Sequence, residues 1–167
     1  MSMDPLWATW RATYVSDATD ANRNAEQHDC VFCALMERGA SKETGIVFLD
    51  DVTCCVLNAY PYGSGHLLVL PRRHEGELLS LDAPESAALW ATALGAVGAV
   101  ERAYSPDGVN LGANLGEAAG AGIPAHLHLH VLPRWRGDTN FMTSIGETRI
   151  LPESLSDAWD RLTKAWE

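Results

Sequence analysis

Between Gly45 and Leu70 the apolar residues come in short runs broken by turn residues. Gly45–Leu49, Thr53–Leu57 and His66–Leu70 are rich in Val, Leu and Cys, while Asp50-Asp51 and Tyr60-Pro61-Tyr62-Gly63-Ser64-Gly65 separate them with turn chemistry. That pattern predicts an antiparallel meander, with Cys54 and Cys55 facing opposite sides of its middle strand. Ala83 to Tyr104 then reads as the longest helix, with Pro84 in the first turn, where a missing N–H costs nothing. Cys30 to Gly39 and Pro152 to Trp166 read as two shorter helices, and Trp7, Trp10 and Tyr14 share one helix face near the start. Residues 16–29 are polar and aperiodic, a loop. Val109–Leu115 returns to strand and leads through the Gly/Ala-rich residues 116–125 into His126-Leu127-His128-Leu129-His130-Val131-Leu132-Pro133-Arg134-Trp135. Strands and helices in separate runs indicate one α+β domain spanning residues 1–167, with an antiparallel sheet of about five strands and helices packed on it.

The last of these strips carries the candidate chemistry. Successive side chains on a strand point to opposite faces, so His126, His128 and His130 share one face and Leu127, Leu129 and Val131 the other. Three of the chain's six histidines are spent here. One face of imidazoles fits a hydrogen-bonded structural role, a metal site or nucleophilic catalysis. A rise of ~3.3 Å per residue puts the outer pair ~13 Å apart, too far for all three to share one zinc. A structural role and a division of labour remain, and the latter is preferred: the middle imidazole attacks an electrophile and its neighbours orient it and hold the leaving group. Imidazole suits that role because it is partly neutral at pH 7 and forms covalent intermediates.

Composition narrows the setting. The chain has 167 residues, 47% of them hydrophobic, which argues for a globular fold and against disorder. No window approaches the ~20 apolar residues of a membrane span, and no basic start precedes an apolar run, so a soluble, cytoplasmic protein is expected, without a membrane partner. A formal charge of −10 argues against nucleic acid as a partner, since that binding rests on neutralising phosphates. It leaves room for a small phosphorylated ligand, and Arg72-Arg73 and Arg134/Arg136 place positive charge beside the histidines. Four cysteines are too few for a disulfide scaffold. Cys30-x-x-Cys33 lacks the βαβ context of a redox motif, and His74 and His126 could complete a Cys₂His₂ zinc set with it, His28 being a reserve ligand.

His126-Leu-His128-Leu-His130-Val-Leu resembles the motif of the histidine-triad (HIT) family. Leu57-Asn58-Ala59-Tyr60-Pro61 and Gly65-His66-Leu67-Leu68-Val69-Leu70-Pro71 resemble that family's upstream elements, and Asn114-x-Gly116 its lead-in. The flanks Leu6-Trp7-Ala8-x-Trp10-Arg11 and Pro133-Arg134-Trp135-x-Gly137-Asp138-x-Asn140-Phe141-Met142 resemble the branch acting on dinucleoside polyphosphates, that of bacterial diadenosine tetraphosphate phosphorylases and related hydrolases. The resemblance implies a HIT-like fold, a homodimer, and nucleotidyl transfer to His128 from the α-phosphate of a dinucleoside polyphosphate or nucleotide conjugate. It implies that His130 contacts the phosphate or leaving group, that His126 supports the strand or a metal, and that His66 borders the site. Asn58 and Asn114 would make polar contacts to ribose and phosphate. Backbone N–H groups of Gly120, Ala121, Gly122, Ile123 and Pro124 would cradle the phosphate, and Arg134 could meet it. No cofactor is required for this chemistry; the family resemblance raises the case for zinc on Cys30, Cys33, His74 and His126, as a structural ion. Many members carry Gln-Ser or Gln-Thr shortly before the first triad histidine, where this chain has Gly122-Ile123-Pro124-Ala125. The side chain that would contact a leaving group is missing, so either water or phosphate could resolve the intermediate. Two rivals stand beside this reading: a nucleotide-binding protein with little turnover, and a metal-dependent phosphohydrolase.

Overall fold

The computed structural model describes residues 29–138 and 152–166. The N-terminal aromatic segment with Trp7, Trp10 and Tyr14, the reserve ligand His28, and Thr139 to Met142 lie outside them. The described elements are α1 (Val31–Glu37), β1 (Ile46–Leu49), β2 (Thr53–Leu57), β3 (Leu67–Pro71), α2 (Ala83–Tyr104), β4 (Gly108–Ala113), β5 (Leu129–Arg134) and α3 (Leu155–Ala165), with short 3₁₀ turns at Leu78–Ser80 and Glu117–Ala119.

The five strands form one antiparallel sheet in the order β1-β2-β3-β5-β4. The meander is present, and β3 finds β5 as its second neighbour because the chain crosses the sheet through α2 before returning. Both faces are covered. On one, Cys55, Leu57, Leu67, Val69, Leu127, Leu129 and Val131 pack under α2 and α3. On the other, Cys54, Val56, Leu68 and Leu70 meet Cys30, Phe32, Cys33 and Met36 from the α1 region. This explains why β2 and β3 read as unbroken apolar runs: strands buried on both faces do not alternate. Cys54 and Cys55 fall on opposite faces, as the sequence predicts.

Helix α2 begins with a capping box in which the Asp82 carboxylate accepts from the Glu85 N–H and the Glu85 carboxylate from that of Asp82. Half of its buried residues are alanine, Ala93, Ala96 and Ala99, which lets the helix lie close on the sheet. The Thr53 and Thr92 hydroxyls, 2.7 Å apart, satisfy each other between β2 and α2. Helix α3 docks against β1 through Trp159, whose indole N–H donates to the Ile46 carbonyl at 2.9 Å, and through Trp166, stacked on Phe48.

One expectation changes. Regular strand begins only at Leu129, so of the three histidines just His130 lies within β5. His126 follows a turn closed by its own N–H onto the Ile123 carbonyl, and the Leu127 N–H is taken by the Glu75 carbonyl. The alternation still holds, with Leu127, Leu129 and Val131 all in the core under α2.

Candidate functional site

His126 faces the cysteines. Its Nδ1 lies 3.4 Å from Cys30 Sγ and 3.7 Å from Cys33 Sγ, and His74 Nδ1 lies 3.5 Å from Cys33 Sγ. The four ligand atoms lie within 4.8 Å of one another. A sulfur and a nitrogen bonded tetrahedrally to one zinc, at about 2.3 and 2.0–2.1 Å, stand about 3.6 Å apart, so the cluster has the dimensions of such a site. The Nε2–H of His126 donates to the Pro71 carbonyl at 2.9 Å, which leaves the lone pair on Nδ1, toward the thiols. Burial, and then the neighbouring Cys30, push the Cys33 thiol up to about 12, and burial holds His126 down at about 4. Cys33 and His126 therefore lie where the uncharged form is favoured unless a cation is bound. These four residues could hold a metal.

The elements that bring the four together are short. Cys30 and Cys33 stand at the start of α1, where no side chain caps the helix. His74 sits in the turn after β3, held near His126 by the close passage of residues 75–76 along 124–127. At Gly76 a Cβ would come 2.5 Å from the Pro124 carbonyl oxygen, so only glycine permits this approach.

His128 is 7% exposed and its ring is fixed from one side. Its Nδ1–H donates to the His126 carbonyl at 2.8 Å, so in the neutral ring the lone pair is on Nε2. Burial depresses its basicity, which keeps the ring neutral at pH 7. Phe32 packs against both His126 and His128 at 5.5 Å between centroids. Phe32 carries no chemistry of its own; its place between the two cysteines is the signal in the sequence that singles it out.

A second chain of hydrogen bonds orients His130. Two donors converge on His66 Nδ1, the Tyr62 N–H at 3.1 Å and the Asn58 Nδ2 at 3.3 Å. The Asn58 amide can turn only one way, because its Oδ1 accepts from the Tyr60 N–H at 2.9 Å. His66 therefore carries its proton on Nε2 and donates it to His130 Nδ1 at 2.9 Å. His130 in turn presents an N–H at Nε2. The two rings of His128 and His130 meet edge to face at 5.2 Å between centroids. Tyr62, read from the sequence only as a turn residue, stacks on His130 at 5.8 Å.

Other expected residues are placed differently. Asn58 serves the loop and His66, and His66, fully buried, reaches a ligand only through His130. Asn114 ties the glycine loop together by donating to the Gly120 carbonyl at 3.3 Å. In that loop the N–H groups of Gly120 and Ala121 are taken by the carbonyls of Glu117 and Gly116, and Pro124 has none, so these three do not offer the amides expected of a cradle. Arg134 is committed elsewhere: its guanidinium clasps Asp138 with two nitrogens and gives the third to Asn110 Oδ1 at 2.9 Å. Its separation from His130, four residues along a strand, also takes it ~13 Å away.

Comparison with known proteins agrees with this geometry. Residues 40–137 match the family model described as HIT domain. Two strains of Mycobacterium tuberculosis carry a protein named AP-4-A phosphorylase, 38% identical over 165 residues, covering 96% of this chain and 83% of that protein. Adenylylsulfatase HINT3 of Arabidopsis thaliana is 35% identical over 67% of this chain and 55% of its own length. Among solved structures, a zinc-bound histidine triad family protein from Mycobacterium smegmatis superposes with a TM-score of 0.69 at 28% identity, over 84% of this chain and 95% of that one.

Proposed function

The chain belongs to the histidine-triad (HIT) family, and on that premise we propose that it is a nucleotidyl-transfer enzyme acting on dinucleoside polyphosphates, with His128 as nucleophile. The observation that carries this is the 2.8 Å bond from His128 Nδ1 to the His126 carbonyl, which leaves an unprotonated Nε2 beside the N–H donor of His130.

In the first step His128 Nε2 forms a bond to the α-phosphorus, and the bond from that phosphorus to the bridging oxygen breaks, releasing the remaining nucleotide. The charge gathering on the leaving and equatorial oxygens is met by His130 Nε2–H and by the amides of Gly122 and Ile123, donors already in place before reaction. The positive charge on the nucleotidyl-imidazolium is stabilised by the Nδ1–H bond to the carbonyl. In the second step an oxygen of phosphate or water takes the nucleotidyl group, the N–P bond breaks, and neutral His128 returns. With phosphate as acceptor, diadenosine tetraphosphate yields ATP and ADP; the resemblance to the protein named AP-4-A phosphorylase favours that acceptor.

The four-residue cluster fits zinc in a closed structural site, since two thiolates and two imidazoles complete a tetrahedron and leave no position for substrate. Bound there, zinc would cross-link the start of α1 to His74 and His126 and so steady the carbonyl that holds His128. A Cys₂His₂ closure also disfavours a metal-dependent phosphohydrolase. We further assign a homodimer formed through β4, an exposed edge strand with Leu111 on its surface. Sedimentation equilibrium giving a monomer at micromolar concentration would remove that assignment.

Product analysis with diadenosine tetraphosphate tests the reaction. ATP plus ADP formed only when phosphate is supplied, and lost in His128→Asn with nucleotide binding kept, is the expected result. Absence of turnover in the unmodified protein would favour a nucleotide-binding role instead.

A further inference from the structure

Behind the His66–His130 pair lies a contact that this chemistry does not use. The hydrogen bonds that orient His66 come from its own loop: the Tyr62 N–H, the Asn58 amide, and the Asn58 N–H onto the His66 carbonyl at 2.9 Å. They make residues 58–66 a unit. Strand pairing of Leu67 with Val131 places the end of that unit beside β5, and the packing at its back bears on the same stretch of backbone. Gly65 has a φ of +70°, and a Cβ on it would stand 2.5 Å from Tyr104 Cε2, so the ring at the end of α2 lies directly on the backbone that aims His66.

Tyr104 is itself held from the C-terminal segment. Its hydroxyl donates to Glu153 Oε2 at 2.7 Å, the other Glu153 oxygen accepts from Arg161 Nε at 2.9 Å, and the Arg161 guanidinium lies 5.2 Å from the centre of the tyrosine ring. The Glu153 side chain is 10% exposed, and burial together with that carboxylate raises Tyr104 well above the ordinary tyrosine range, so it remains a donor. Leu155 and Ala158 of α3 close a narrow crevice against Pro61, Gly63 and His66. Trp135, which follows the triad strand, meets the Tyr104 ring edge to face at 6.1 Å.

We infer that Glu153 and Tyr104 are positioning residues for the catalytic site: Glu153, just ahead of the C-terminal helix and tied to it by Arg161, holds Tyr104 against Gly65 and so fixes the His66 ring that sets the donor on His130. A charge-assisted O–H···O bond is among the stronger single contacts available for this. Misplacement of a reacting group by ~1 Å can cost ~10²-fold in rate, so a smaller displacement of His130 is enough to be read.

For its kinetic readout the inference rests on the nucleotidyl-transfer reading, so a second readout is needed that does not. Tyr104→Phe, Glu153→Ala and Glu153→Gln are compared with the parent protein on diadenosine tetraphosphate and by ¹⁵N-histidine NMR. Tyr104→Phe and Glu153→Ala are expected to lower kcat about tenfold, with KM within about twofold, and to turn the fixed pyrrole-type Nε2 and pyridine-type Nδ1 signals of His130 into averaged ones. Glu153→Gln, which keeps an oxygen acceptor for the tyrosine, restores most of both. A lowered melting temperature with kcat and His130 signals at parent values would overturn the inference and leave Glu153 a purely structural residue. Averaged His130 signals in Tyr104→Phe, in a protein whose parent shows no turnover, would sink the nucleotidyl-transfer reading and leave the positioning standing.

Discussion

His126 and His128, two residues apart, are joined by a bond from the ring Nδ1 of one to the backbone carbonyl of the other, yet their side chains serve different pockets. The first ring is spent entirely on structure, between Pro71 and the two cysteines. The second is left with one nitrogen for chemistry. A strip that looks like one repeated device therefore holds two different environments, a histidine set against the cysteines and one whose ring tautomer is fixed by the first one's carbonyl.

If the cysteine cluster is a closed zinc site, the purified protein should carry about one zinc per chain by elemental analysis, and Cys33→Ser should lose it. The variant should melt about 10 °C lower, a large effect for one side chain because it removes a ligand at a buried cross-link. Full zinc content and an unchanged melting curve in Cys33→Ser would count against the site.

Gly76 carries a purely steric prediction. Alanine there would place Cβ 2.5 Å from the Pro124 carbonyl oxygen, and neither backbone can yield without separating His74 from His126. A loss of about 2 kcal/mol is expected for such overpacking, read by chemical denaturation, together with weaker metal retention. Alanine tolerated at full stability would show that the two segments are not clamped.

Acid should act on the start of α2. The hydrogen bond from Arg73, and then that from the Asp82 N–H, hold the Glu85 carboxyl down at about 2 against an ordinary 4.5. Because its folded value is depressed, its stabilising contribution is complete above pH 4.5 and disappears as pH falls through 2. Glu85→Ala should therefore melt about 2–4 °C below the parent near pH 7, and the gap should close between pH 4.5 and 2. A gap that stays constant with pH would contradict the assigned role of the charge.

Much of this was visible in the chain. The bounds of β2 and α2 were legible because Thr53–Leu57 is an uninterrupted apolar run between turns and α2 opens with Asp82, Pro84 and Glu85. The triad and the Cys30, Cys33, His74, His126 grouping rest on residue types too costly to gather without purpose. The commitment of Arg134 to Asp138 and Asn110, the loss of the Gly120 and Ala121 amides to loop carbonyls, and the Tyr104–Glu153 bond were not legible. Each depends on which partner a polar group finds in space, and periodicity reports only the face on which a residue lies.

The central claim is that His128 becomes covalently nucleotidylated, and intact-protein mass spectrometry reads it directly. The parent protein, mixed with diadenosine tetraphosphate in phosphate-free buffer and quenched early, should gain one adenylyl group. That group should map to the peptide containing His128, disappear on addition of the acceptor, and be absent in His128→Ala. Turnover with no adduct on any time scale, or an active His128→Ala, would contradict it.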